Sequence, residues 1–127
     1  MLRRKVSMAR GKVVVDENLL VLVPYIRAQN IKVDAPLPGM SDTYIAANIA
    51  SDEIFVTNNP DHFRRGAIAH TIGVIGLPQS LLADPETAAI IISDTIIKFG
   101  LWRKLKPYII KLDSTGKRAR FTSLRGL

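Results

Sequence analysis

The sequence has no cysteine, which excludes disulfides and thiolate metal centres and suits a reducing interior. No uncharged apolar run approaches the ~20 residues that span a bilayer. A basic start followed by apolar residues resembles a secretory leader only at first. Asp16 and Glu17 interrupt the run, and no small-residue cleavage site follows. The expected setting is cytoplasmic, with no membrane contact. Neither G-x-x-x-x-G-K-[ST] nor G-x-G-x-x-G occurs, so nucleotide-cofactor loops are not expected. Internal repeats and low-complexity segments are also absent. His62 and His70 are the only histidines, and their separation gives no metal pair.

Acidic residues are missing from both ends. Residues 1–12 carry Arg3, Arg4, Lys5, Arg10 and Lys12, and residues 117–127 carry Lys117, Arg118, Arg120 and Arg125. The stretch between them holds nine basic and eleven acidic residues, so the net charge of +7 comes from the ends. Basic ends favour a polyanion such as RNA, or an acidic protein partner. What is present fits one domain: 127 residues, 47% of them hydrophobic and 23% charged. Residues 1–11 read as a flexible basic segment. Residues 12–127 read as a single domain with a basic C-terminal segment.

The most informative stretch is V-V-V-D-E-N, Val13 to Asn18. Three β-branched residues suit a buried strand. Ionised carboxylates do not suit its middle, because an unpaired buried charge is very costly. The strand therefore ends near Asp16, at the rim of a sheet. In open α/β sheets ligands bind at the carboxyl ends of the strands, so Asp16 is the first member of a candidate acidic site.

Lys12–Asp16 is thus strand one. Leu19, Leu20, Leu22, Val23 and Ile26 follow at helical spacing, with Pro24 either in the first turn of a late helix or at a kink. Strands follow at Ile31–Val33, Glu53–Thr57 and Thr71–Ile75. Ser41 or Asp42 caps a helix between the second and third. Asp84-Pro85 opens a long helix that stops at Gly100, and Trp102 with its basic neighbours reads as the amphipathic end of that helix. Tyr108–Leu112 and Arg118–Thr122 are two more strands around the turn D-S-T-G. Strands alternating with helices imply βαβ units and a mainly parallel sheet.

Asp16 and Glu17 end strand one, Asp42 begins the helix after strand two, and Asp61 lies just after strand three. On adjacent parallel strands all would reach the same sheet edge. Convergent carboxylates repel one another and call for a cation, and hard oxygen ligands select Mg²⁺ or Mn²⁺. Arg64 and Arg65 follow within reach of a phosphate. Glu17 is held in reserve, since it would face away if the strand continued.

D-E-N after the first strand, S-D before a helix and V-T-N-N-P-D-H-F after the third strand resemble the PIN-like domain family, in particular its small bacterial branch with a D-E-N-L start. The resemblance covers about residues 12–110. It implies a three-layer α/β/α sandwich with a mainly parallel central sheet. It also implies a Mg²⁺- or Mn²⁺-dependent ribonuclease, often the toxin of a toxin–antitoxin pair. The expected partners are RNA, an antitoxin protein and a second copy of the chain. The family's acids would fall on Asp16, Asp42 and Asp61. Of the family pattern T-x-D-x-D-F, Thr57 and Asp61 keep their places. Asn59 stands where the first Asp would be and offers a neutral oxygen to the metal, and His62 is an extra residue before Phe63. Thr57, Asn58, Arg64 and Arg65 are the expected RNA contacts.

Two other readings exist. With one formal charge missing at Asn59, the same fold could serve as a non-catalytic RNA- or protein-binding module. A phospho-receiver-like domain also has paired acids after strand one. It needs an acceptor Asp at the end of strand three, where this chain has Val56-Thr57-Asn58-Asn59.

Overall fold

Val13–Val15 forms β1, fully surrounded by other strands and helices. A strand with both faces covered reads as an unbroken apolar run rather than an alternating one. The computed structural model describes residues 12–35, 53–63, 67, 72–103, 107–113 and 119–123. Within them lie β2 (Val33–Asp34), β3 (Ile54–Thr57), β4 (Gly73–Gly76), β5 (Tyr108–Leu112) and β6 (Ala119–Ser123). They form one sheet in the order β2-β1-β3-β4-β5-β6. The first five strands are parallel, and β6 closes the edge antiparallel to β5. The chain is an α/β protein, as the alternating pattern predicts. The helix expected from Ser41 or Asp42 lies outside the described residues.

The strand order places the reversal of winding between β1 and β3. The chain leaves β1 toward β2 on one side, then returns to β3 on the other. In doubly wound sheets this reversal opens a crevice at the carboxyl ends of the two strands. Asp16 follows β1 directly, and Thr57 ends β3.

Side-chain alternation divides the core in two. One face carries Val13, Val15, Ile54, Val56, Ile75, Tyr108 and Ile110, packed against the helices. The other carries the row Val14, Phe55, Val74 and Ile109, with Phe63, Ala67 and Ile72 against it. Register aligns that row strand by strand. At Gly73 a side chain has no room, because a Cβ there would fall 2.0 Å from the Tyr108 ring.

Pro24 settles where the first helix begins. Glu17–Leu22 is a 3₁₀ helix broken by non-helical angles at Leu19, and α1 starts only at Val23, running Val23–Arg27 with Pro24 in its first turn. Proline lacks only a donor that the first turn would leave unused. Asn30, at φ 62°, ends the excursion, and Asn tolerates that left-handed region better than most residues.

The long helix α2 is Pro85–Phe99. Asp84 caps it: its carboxylate accepts from the Thr87 amide at 3.2 Å and the Thr87 hydroxyl at 2.7 Å. Those bonds hold the Asp84 carboxyl below its ordinary pKa of 3.8, the hydroxyl first. Gly100 ends the helix at φ 59°, and its amide donates to the carbonyls of Ile96 and Ile97, the closure that a left-handed glycine allows. Ala88, Ala89, Ile92, Thr95 and Ile96 are buried against the sheet. Trp102 is not the helix's last turn. It sits in a separate 3₁₀ helix, Leu101–Arg103, beyond the Gly100 stop, and packs partly buried against the core. No helix among the described residues is long and apolar enough to cross a membrane.

Candidate functional site

Two residues past the apolar row Val14–Phe55–Val74–Ile109, the same face carries Asp16, Thr57, Gly76 and Lys111. Thr57 pairs in register with Gly76, and Gly76 with Lys111. Asp16 is the next residue after the Val15–Val56 pair, and its amide donates to the Val56 carbonyl at 2.9 Å. The carboxyl rim of four neighbouring strands thus presents a carboxylate, a hydroxyl, a gap and an ammonium.

Asp16 is held from two sides. Its Oδ1 accepts from the Asn18 amide at 3.1 Å, which makes it the cap of the 3₁₀ helix. Its Oδ2 accepts the Thr57 hydroxyl at 2.8 Å. Thr57 is fully buried, and its Oγ1 also accepts the Asn59 amide at 3.0 Å. Thr57 therefore orients Asp16 and shapes the turn, so its hydroxyl is engaged rather than turned outward to RNA. Thr57→Val is expected to leave Asp16 without this donor and to destabilise by about 1–3 kcal/mol, the usual cost of stripping a buried partner. Urea unfolding checks it: Thr57→Ser should recover most of the loss, and a fully stable Thr57→Val would contradict this role.

Asn58 lies on the other side of the strand end. Its Nδ2 donates to Gln79 Oε1 at 3.2 Å. Its Oδ1 is buried, and no donor among the described residues reaches it.

The segment after Asn59 is a 3₁₀ helix, Pro60–Phe63. Two contacts decide its course. Phe63 is buried against Phe55, ring centroids 4.4 Å apart. Pro60 occupies the space over Gly76, where a Cβ would come within 2.4 Å of the proline ring. The turn therefore crosses β4 and delivers Asp61 to β5. Both Asp61 oxygens meet the Lys111 ammonium, Oδ1 at 2.9 Å and Oδ2 at 3.0 Å. Lys111 stands three strand spacings from β1, about 14 Å.

Asp16, Thr57, Asn58, Asn59 and Asp61 thus gather at one rim, Asp16 and Thr57 in direct contact. Asp42, Arg64 and Arg65 lie outside the described residues, as does His70. Glu17 begins the 3₁₀ helix, so the strand it would have continued has already ended. Among the described residues no three His, Asp or Glu side chains form a group suited to a metal ion. Sequence reasoning missed Lys111, although one signal was present: it is the single charged residue in the strand Y-I-I-K-L. Gln79 gave no signal, because only the fold brings it to Asn58.

A second charged cluster, at Lys12, is self-contained. Its ammonium meets Asp34 at 2.6 Å and Glu53 at 3.4 Å, joining β2, β1 and β3. These bonds, Asp34's first, raise the lysine above its ordinary pKa. The acids there already have their cation, so this cluster offers nothing to a metal.

A scan of family models and searches of curated proteins and of solved structures found no match to this chain.

Proposed function

We propose that the chain is a PIN-like domain, a three-layer α/β/α sandwich whose rim hydrolyses RNA phosphodiesters with Mg²⁺ or Mn²⁺. The observation that carries this reading is the Asp16–Thr57 contact at the β1–β3 switch point. A carboxylate is fixed there by a buried hydroxyl, at the place where doubly wound sheets bind their ligands.

The oxygen donors suit a hard divalent ion. Asp16 supplies charge, and the buried Asn58 Oδ1 is an acceptor with no donor among the described residues. Asp16, Asp42 and Asp61, with the neutral oxygens of Asn58 or Asn59, would hold the ion. When bound, it would neutralise charge on the scissile phosphate and acidify a nearby water. The chain's own part is to fix Asp16 through Thr57 and to bring Asp61 to the same rim through Pro60 and Phe63. Arg64, Arg65 and the basic ends would meet the RNA backbone. Leu20, Val21, Tyr25, Ile90 and Ile97 are exposed on α1, α2 and the 3₁₀ helix before α1. They support a protein partner there, an antitoxin or a second copy.

A second reading, a binding module without catalysis, is favoured by one observation: Lys111 occupies both oxygens of Asp61. Incubation of the purified protein with end-labelled single-stranded RNA separates the two. Cleavage in Mn²⁺ that stops on chelation supports the nuclease. RNA that is retained on the protein but left intact in Mn²⁺ supports the module.

A further inference from the structure

We infer that Lys111 is the built-in counterion of the rim and controls whether Asp61 can join Asp16 on a divalent ion; this rests on the metal-dependent reading above. Asp61 is not out of place in the fold. It lies on the same sheet face and at the same rim as Asp16, on a turn pinned by Phe63 at one end and Pro60 at the other. What separates it from Asp16 is the ammonium that its two oxygens share. Lys111 rises from the row that holds Asp16 and Thr57, and Gly76 between them adds no side chain. Lys111 and Asp61 keep 43% and 63% side-chain exposure, so their pairing is weak enough to exchange. A divalent ion held by Asp16 competes with Lys111 for Asp61. A phosphate entering the rim competes with Asp61 for Lys111. Metal and substrate then pull the same pair apart, and each favours the other. The rim has one fixed cation, Lys111, and one that comes and goes.

Direct Mn²⁺ titration, followed by calorimetry or by the electron spin resonance of the free ion, tests this without reference to cleavage. Lys111→Met is expected to tighten Mn²⁺ binding roughly three- to tenfold, the scale of removing one exposed competing ion pair. The same substitution made in Asp61→Asn and in Asp16→Asn backgrounds should give no such gain. Lys111→Gln guards against an effect of the methionine on folding, and circular dichroism checks each variant. Unchanged Mn²⁺ affinity in both Lys111 variants overturns the proposal. So does a gain that survives Asp16→Asn, since Asp61 would then be acting as a lone surface carboxylate. Failure of the nuclease reading shows differently, as RNA left intact by the unmutated protein.

Discussion

Asp16→Asn is expected to lower Mn²⁺-dependent RNA cleavage by on the order of a hundredfold or more, given that groups merely supporting a metal ligand already account for 10–100-fold. The substitution is chosen to separate charge from architecture. Asparagine caps a helix about as well as aspartate, so the Asn18 amide keeps an acceptor. The amide can also remain hydrogen-bonded to the Thr57 hydroxyl across the rim. Stability should therefore change by less than about 1 kcal/mol, while the charge that would attract the ion is gone. The check is an initial-rate comparison on labelled RNA at several Mn²⁺ concentrations, with thermal melts of both proteins. Equal rates for the two proteins would show that any nuclease activity resides elsewhere.

Phe55→Ala addresses the scaffold. Phe55 is fully buried on β3, at the middle of the sheet, and its ring meets Phe63. Truncating a buried phenylalanine costs about 3–5 kcal/mol, part in lost transfer energy and part in the cavity left behind. Against a domain stability of about 5–15 kcal/mol, that leaves a marginal fold. Urea unfolding should show the midpoint falling sharply. A loss below about 1 kcal/mol would mean that this face is not packed as described. A second readout follows from the geometry. Phe63 anchors the turn that carries Asp61, so the variant should also loosen the Asp61–Lys111 pair before it unfolds.

How much of this could be read from the residues depends on how far apart the cooperating groups lie in the chain. V-V-V-D-E-N shows its own strand end, because burial of valine and exposure of aspartate conflict within four residues. Asp84-Pro85 and Gly100 likewise mark both ends of α2 by local chemistry. Pro24 left two options, and the structure takes the late start, which avoids losing a hydrogen bond mid-helix. The Asp61–Lys111 pair spans 50 residues. It depends on β5 lying next to β4 and on a glycine that lets Pro60 cross between them. Nothing near Asp61 announces that. Spacing alone suggested convergence on Asp16, whereas the path of the Pro60–Phe63 turn decides which neighbour Asp61 meets. Trp102 followed the same logic on a smaller scale. Its apolar character promised a helix end, but the Gly100 stop comes first.

The hydroxyl that steadies Asp16 comes from 41 positions further along the chain, and Lys111 further still. No fragment of the protein contains the rim. A ribosome-bound or clipped chain lacking β3 and β5 would have Asp16 hanging on a loose end, with nothing to aim it. Competence would thus arrive in one step, when the sheet closes. It should vanish in the same step on denaturation, so that loss of ion binding and loss of the tertiary signal trace a single curve.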